Sequence, residues 1–411
     1  MSTSTGPTSA TSDRATRYMD KKEVIQQFTH YVGIDWADDS YQVCKVDQNG
    51  GGRQEKAFEH SGDGIRVCIN WLLELAGGDA STIAVAIEVP HGAMVESLIE
   101  NNIAVFAINP KQMDRFRDRF TVSGARDDRL DALVMADSLR TDQVCFHRVE
   151  LNEPAIVRLR ELTRMEQNLQ ADSIQLANQL RELLRRYYPQ MLALSSAADE
   201  AWLWDLLEAA PLPADAARLK LAPVKRILEK HRIRRRTAEQ VLDRLRQPAL
   251  QLAPGAAEAI SERALMLSPR LRLLQQQQGD IARRIQAILD ELCAPAEGEE
   301  HRDARILLSL PGIGRVVGAT MLAEAAQPLH ERDYQALRKY AGVAPVTRQS
   351  GKRKFIEMRR ACNERLRNAF YHWSRTSMQK DARARQHYDE LRERGHGHGR
   401  ALRGLAGVYF G

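Results

Sequence analysis

The run Tyr31-Val32-Gly33-Ile34-Asp35 is short, apolar and closed by an acid, and Thr82-Ile83-Ala84-Val85-Ala86-Ile87-Glu88 repeats that pattern fifty residues on. Runs this short, rich in β-branched residues, predict buried strands. Helical periodicity over Gly64–Ala76 and again from about Gly92 to Asn101 separates them from a third apolar run, Ala104–Ile108. Tyr41–Val46 alternates as a hairpin partner would, and Gln48-Asn49-Gly50-Gly51-Gly52 supplies turn chemistry. Strands separated by helices define an α/β domain with a partly parallel sheet. Asp35 and Glu88 then stand at the carboxyl ends of their strands, the edge at which open α/β sheets bind ligands.

Beyond this domain the chain continues to 411 residues, which predicts more than one core. With 43% apolar and 28% charged residues the balance is globular, excluding a collagen-like or wholly disordered chain. No run of eighteen apolar residues occurs, so no transmembrane helix and no membrane partner are expected. Residues 1–28 are read as a disordered tail, Ser/Thr-rich and without the apolar core of a signal peptide. The five cysteines are scattered and lack any CxxC, which fits buried side chains in a reducing, cytoplasmic setting. Net charge is +6, yet residues 351–411 hold 15 Lys and Arg against 6 Asp and Glu. A basic end on a slightly acidic body suits a polyanion partner, and is also common on soluble proteins.

The middle, 151–300, reads as helical. Leu159, Leu162, Leu169, Leu176, Leu180 and Leu183 recur on steps of three and four, and Leu267, Leu271, Leu274, Ile281, Ile285, Ile288 and Leu292 do so again. These describe either a coiled-coil arm that pairs with a second copy or a bundle closed within one subunit. Between them, Lys225–Arg246 carries Arg232-Ile233-Arg234-Arg235-Arg236, a solvated face or a basic helix. Cys293–Glu300 reads as a linker, and 301–411 as a further, mainly helical domain.

Four features carry possible chemistry. Asp127-Asp128-Arg129-Leu130-Asp131-Ala132 opens a helix, with Asp128 and Asp131 on one face. An acid at such a position also simply caps a helix. Grouped with Asp35 and Glu88, these carboxylates would repel, and Mg²⁺ removes that penalty while bridging to phosphate oxygens. Pro311-Gly312-Ile313-Gly314 resembles the hairpin of helix-hairpin-helix modules, whose free amides hold a DNA phosphate through Gly312 and Gly314; a tight interhelical turn gives the same sequence. Ser350 precedes a glycine among Arg348, Lys352, Arg353 and Lys354, as a nucleophile attacking a phosphodiester would, although a Ser-Gly turn on a basic surface is the commoner case. His396 and His398, between glycines, read as a polar loop more readily than as a metal site.

Taken in order, Val32-Gly33-Ile34-Asp35, the strand ending at Glu88, Asp128-Arg129-Leu130-Asp131-Ala132, Leu310-Pro311-Gly312-Ile313-Gly314, Tyr340-Ala341-Gly342 and Gln349-Ser350-Gly351 resemble the DEDD transposases of the insertion-sequence family numbered one-hundred-and-ten, in its eleven-eleven grouping. The resemblance covers about 30–150 and 300–411. It implies a RuvC-like (RNase H-like) α/β domain over 29–150, a helical coiled-coil region over 151–300 and a C-terminal serine domain over 301–411. Its acidic tetrad falls on Asp35, Glu88, Asp128 and Asp131, as Mg²⁺ ligands, and its nucleophile on Ser350. It implies recombination between donor and target DNA guided by an element-encoded RNA, in the bacterial cytosol. Tetrad and serine fall in different domains, so a composite site is expected, within one subunit or across a dimer, and because strand exchange needs several cleavages a dimer that pairs into a tetramer on DNA is expected. The rival expectations are a RuvC-like endonuclease that uses water and a non-catalytic nucleic-acid-binding protein. Residues 190–265 match no motif of the family.

Overall fold

The computed structural model describes residues 27–36, 39–120, 127–150, 153–294, 302–350 and 353–408, with the side chains of Arg302 and Ser350 left out. Lys352 and most of the segment read as a tail lie outside these. The chain divides near Leu151 into two compact units.

The first unit is built on a six-stranded sheet in the order β3-β2-β1-β4-β5-β6. Its strands are β1 (His30–Trp36), β2 (Ser40–Asp47), β3 (Gln54–Glu59), β4 (Ile83–Ile87), β5 (Ala104–Ala107) and β6 (His147–Arg148). β1, β4 and β5 run parallel, while β2, β3 and β6 are antiparallel to their neighbours. Four helices accompany them: α1 (Gly62–Leu75), α2 (Ala93–Glu100), α3 (Pro110–Arg117) and α4 (Asp128–Thr141). Alternation sorts the strand residues onto two faces. Val32, Ile34, Tyr41, Val43, Ile83, Val85 and Ile87 share a core with residues of α1 and α2. Ala84, Ala86 and Phe106 face the other way, into a core with Val134, Met135 and Leu139 of α4. Each such aliphatic side chain removed from water contributes about 1.5–3 kcal/mol. Phe28 belongs to this second core, edge-on to both Tyr31 and Phe106. Phe28, the last residue of the segment read as a disordered tail, is therefore a packed core residue.

Strand β3 escapes the hydrophobic pattern because only Phe58 of its six residues is buried. It pairs as an edge strand, and the Gln48–Gly52 turn connects it to β2.

The second unit is helical apart from one hairpin. Helix α5 (Pro154–Tyr187) is followed by α6 (Pro189–Leu192), α7 (Ala201–Ala209), α8 (Pro213–Arg218), α9 (Leu221–Lys230), α10 (Ala238–Leu245), α11 (Ala256–Leu265) and the long α12 (Ser268–Cys293). The leucine-patterned faces of α5 and α12 are covered within the subunit. Leu176, Leu180 and Leu183 join Leu267 and Leu271 in one core with Trp202, Trp204 and the short helices between them. Leu159 and Leu162 join Ile281, Ile285, Ile288 and Leu292 in a second core with the C-terminal helices. The bundle alternative thus accounts for these heptads; a coiled coil between copies is not needed to bury them. The arginine run falls in the connection between α9 and α10, not on a helix. Arg236 donates to the Leu194 carbonyl at 3.1 Å and Arg235 pairs with Glu200, so part of the run braces the bundle.

C-terminal to α12 come α13 (Arg302–Ser309), α14 (Arg315–Glu324), α15 (Ala326–His330), α16 (Tyr334–Tyr340), the hairpin β7 (Val346–Ser350) and β8 (Arg353–Glu357), then α17 (Glu364–Lys380), α18 (Ala382–Glu393) and α19 (His398–Val408). Glu324 is buried where three of these elements meet, accepting from Arg164 at 3.1 Å and from Asn363 at 2.7 Å.

Candidate functional site

Gly33 decides where the acids of the first unit stand. A Cβ there would lie 1.9 Å from the Ala132 carbonyl oxygen and 2.8 Å from the Ala136 nitrogen. Only glycine lets the α4 backbone settle directly on β1. Asp35 is two residues further along the same face of β1. The alternation of β4, with Ala84 and Ala86 toward α4, carries Glu88 to that face too. Helix α4 presents Asp128 and Asp131 in its first turn.

Asp127 is the residue that caps this helix, accepting from the Arg129 amide at 3.1 Å. Its oxygen has a structural partner, and the D-x-x-D pair keeps Asp128 and Asp131 as helical residues.

The Asp35 carboxyl is raised to about 6, first by burial, then by the charges of Asp131 and Asp128, with a smaller push from Glu88. A hydrogen bond from the Trp36 amide at 3.1 Å opposes the rise. The other three acids therefore all act on Asp35. Asp131 has a further partner that the sequence did not signal. Arg117, the last residue of α3, holds it in a two-pronged pair, Nε to Oδ1 at 2.6 Å and Nη2 to Oδ2 at 2.8 Å, and also bonds Asp114 at 2.8 Å. The Arg117 and Asp131 side chains are only 12% and 14% exposed, so the pair is shielded from solvent. Among the described residues, no three His, Cys, Asp or Glu side chains are gathered tightly enough to hold a metal ion. The donor chemistry nevertheless suits Mg²⁺: oxygens only, mutually repelling, with one carboxylate already in need of a counter-cation.

In the second unit Ser350 ends β7, opposite Arg353 of β8. Arg348 faces Glu357 across the hairpin at 3.3 Å, while Arg353 and Lys354 stand on an exposed strand. Helical periodicity could not have found this hairpin, whose β8 residues are all exposed. Gly312 has φ +85, and a Cβ on it would meet the Ser377 backbone of α17 at 2.6 Å. Trp373 Nε1 and Ser377 Oγ both donate to the Pro311 carbonyl, at 3.0 and 2.7 Å. That glycine is thus explained by packing. Gly314 has nothing within contact of a Cβ and stands at the N-cap of α14, the position with amides to offer. His398 opens α19, with its Nδ1 2.8 Å from the Tyr388 hydroxyl.

The sequence itself matches transposases in both units. Residues 32–189 match a family described as Transposase, of the DEDD type named for IS110, and residues 304–389 match one described as Transposase IS116/IS110/IS902 family. A Streptomyces coelicolor mini-circle protein named as the transposase for IS117 is 34% identical over 93% of this chain and 92% of its own length. A Sinorhizobium fredii protein named as the transposase y4uE is 43% identical over 59% of this chain and 66% of its own length. The 44.8 kDa protein of insertion element IS116 from Streptomyces clavuligerus is 29% identical over 82% and 79%. The chain belongs to the IS110 family of insertion-sequence transposases. It is therefore a DNA-processing protein, and none of its described helices is long and apolar enough to cross a membrane.

Proposed function

We propose that this protein is an RNA-guided DNA recombinase that cuts and rejoins donor and target DNA through Ser350, with Asp35, Glu88, Asp128 and Asp131 as the acids that hold Mg²⁺. The observation that carries the reading is the raised Asp35 carboxyl, on which burial and the other three acids act together. The sheet order, with an antiparallel β1-β2-β3 meander beside parallel β4 and β5, fits a RuvC-like domain. Mg²⁺, when bound, would neutralise developing charge on the phosphate and leaving oxygen. The Ser350 oxygen forms a bond to phosphorus, the ester bond to one deoxyribose oxygen breaks, and that oxygen leaves with a proton. The phosphoserine link conserves the bond energy for rejoining to a second strand. Arg353 and Lys354 steady the phosphate backbone. Guide RNA and a dimer pairing into a tetramer on DNA are part of the proposal, since exchange needs several coordinated cuts.

Trapping decides it. Ser350→Ala is expected to abolish covalent protein–DNA adducts and recombination while DNA and RNA binding persist. Recombination at the parental rate in that variant contradicts the reading. A second reading, a RuvC-like endonuclease using water, draws on the fact that all four acids belong to the first unit; it predicts metal-dependent cleavage by Ser350→Ala without any adduct.

A further inference from the structure

The acids occupy one face of the sheet end; the opposite face carries a group of rings that the reaction above leaves unused. Trp36 follows Asp35 and stands directly opposite Tyr41 across the β1–β2 ladder. His60 follows β3. The Tyr41 and His60 rings stack at 5.0 Å and 18°, and the His60 and Trp36 rings at 5.1 Å and 25°. Tyr41 is buried and anchors the set, whereas Trp36 is 48% exposed. Trp202, Trp204 and Trp373, by contrast, are buried in cores.

A single exposed indole needs no explanation. Three rings with centroids 5.0 to 6.4 Å apart, Trp36 and His60 exposed and Tyr41 buried, form an aromatic face at the end of the sheet, on the side away from the carboxylates. The surround is polar: Asp39 and Glu59 are exposed, and Lys56 lies 5.2 Å over the Phe58 ring, which is opposite Tyr41 in the ladder. Lys56 offers a phosphate one cation here, against the two exposed carboxylates, so the case for a base rests on the rings. Asp35 and Trp36 are consecutive residues whose side chains leave opposite faces at the end of β1, so a nucleic-acid strand bending round that end meets both.

We propose that Trp36, backed by His60 and Tyr41, is the stacking step for an unpaired DNA base adjoining the phosphate that is cut. The inference rests on the acid cluster being the cleavage site. Every base has a π face, so the step is tolerant of sequence and positions the strand rather than reading it. It holds the flanking nucleotide still while the acids act on the phosphate, and favours strands already opened over paired duplex.

The test measures binding by the full-length protein, without Mg²⁺, to fluorescein-labelled oligothymidylate, oligouridylate and an abasic deoxyribose-phosphate oligomer of equal length. Trp36→Ala is expected to weaken oligothymidylate binding about tenfold and to leave the abasic oligomer unaffected. Trp36→Phe, which keeps a ring, should stay within about threefold of the parent and lose the tryptophan quenching that oligothymidylate causes. Unchanged affinity in Trp36→Ala, an equal loss on the abasic oligomer, or a loss confined to oligouridylate overturns the proposal. Asp35→Asn separates this from the site itself. Cleavage lost in Asp35→Asn with stacking absent in Trp36→Ala sinks only the stacking step. Normal cleavage by Asp35→Asn sinks the site reading.

Discussion

Asp35 is a carboxyl kept partly protonated near neutrality by burial and by its acidic neighbours. A carboxyl whose folded value lies above its unfolded value binds more protons when folded. Stability therefore falls as pH rises from about 4 to about 6, and the deficit is complete above that window. Asp35→Asn should raise the melting temperature at pH 7.5 without Mg²⁺, by the equivalent of about 1–2 kcal/mol after solvent screening. The gain should vanish at pH 4, and unchanged melting at both pH values would show that the acids do not interact. Mg²⁺ should raise the melting temperature of the parent more than that of the variant. Arg117 makes a second test. Replacing it with Gln leaves a shielded Asp131 without its cation, which costs about 3–5 kcal/mol for a fully buried pair and less here. The variant should melt earlier without Mg²⁺ and recover more when Mg²⁺ is added, because the ion no longer competes with a guanidinium. A Mg²⁺ response no larger than the parent's argues that Asp131 is a structural partner of Arg117 alone. That Glu88, Asp128 and Asp131 would come near Asp35 could be expected from the sequence, because two strand ends and a helix start bring them to one edge of the sheet. Arg117 was not, since nothing in its own neighbourhood of the chain points fourteen residues ahead to Asp131.

At the scale of the element, the PGIG turn separates two uses of glycine. Gly312→Ala forces a side chain into positive φ and against the α17 backbone, and should cost more than about 1–3 kcal/mol. Gly314→Ala has room and ordinary φ, so stability should hold. A fall in DNA affinity without a fall in melting temperature would assign phosphate binding to the start of α14; no fall leaves the turn purely structural. The strands β1, β4 and β5 could be read because each is buried on both faces and so appears as an unbroken apolar run. Strand β3 and the β7–β8 hairpin could not, because edge and exposed strands need no apolar pattern to pair. The long helices α5 and α12 were plain from their spacing. What lay beyond reach was the partner of each apolar stripe, since a heptad records that a face is covered and not by which chain.

Across the whole molecule, charge is unevenly placed, with the positive excess in the last sixty residues. If Arg353 and Lys354 contact phosphates, neutralising both should flatten the slope of log affinity against log salt by up to about two units on duplex DNA, nearly equally on specific and random sequence. An unchanged slope would place these side chains in solvent, and a loss limited to specific DNA would assign them to base or guide contacts. The division into an α/β unit and a helical unit follows the change from alternating strands to leucine periodicity near residue 151. Residues 190–265, silent as motif, prove to be short helices packed with α5 and the start of α12 around Trp202 and Trp204, which explains their Ala/Leu-rich composition. The contact between Gly33 and the α4 backbone has a genetic consequence. Every glycine codon lies one base change from an alanine codon. A drifting copy of this gene can thus lose the shape of its acid cluster in a single step while every acid remains intact in the translated sequence. Scanning copies for their carboxylates alone would count such a relic as alive.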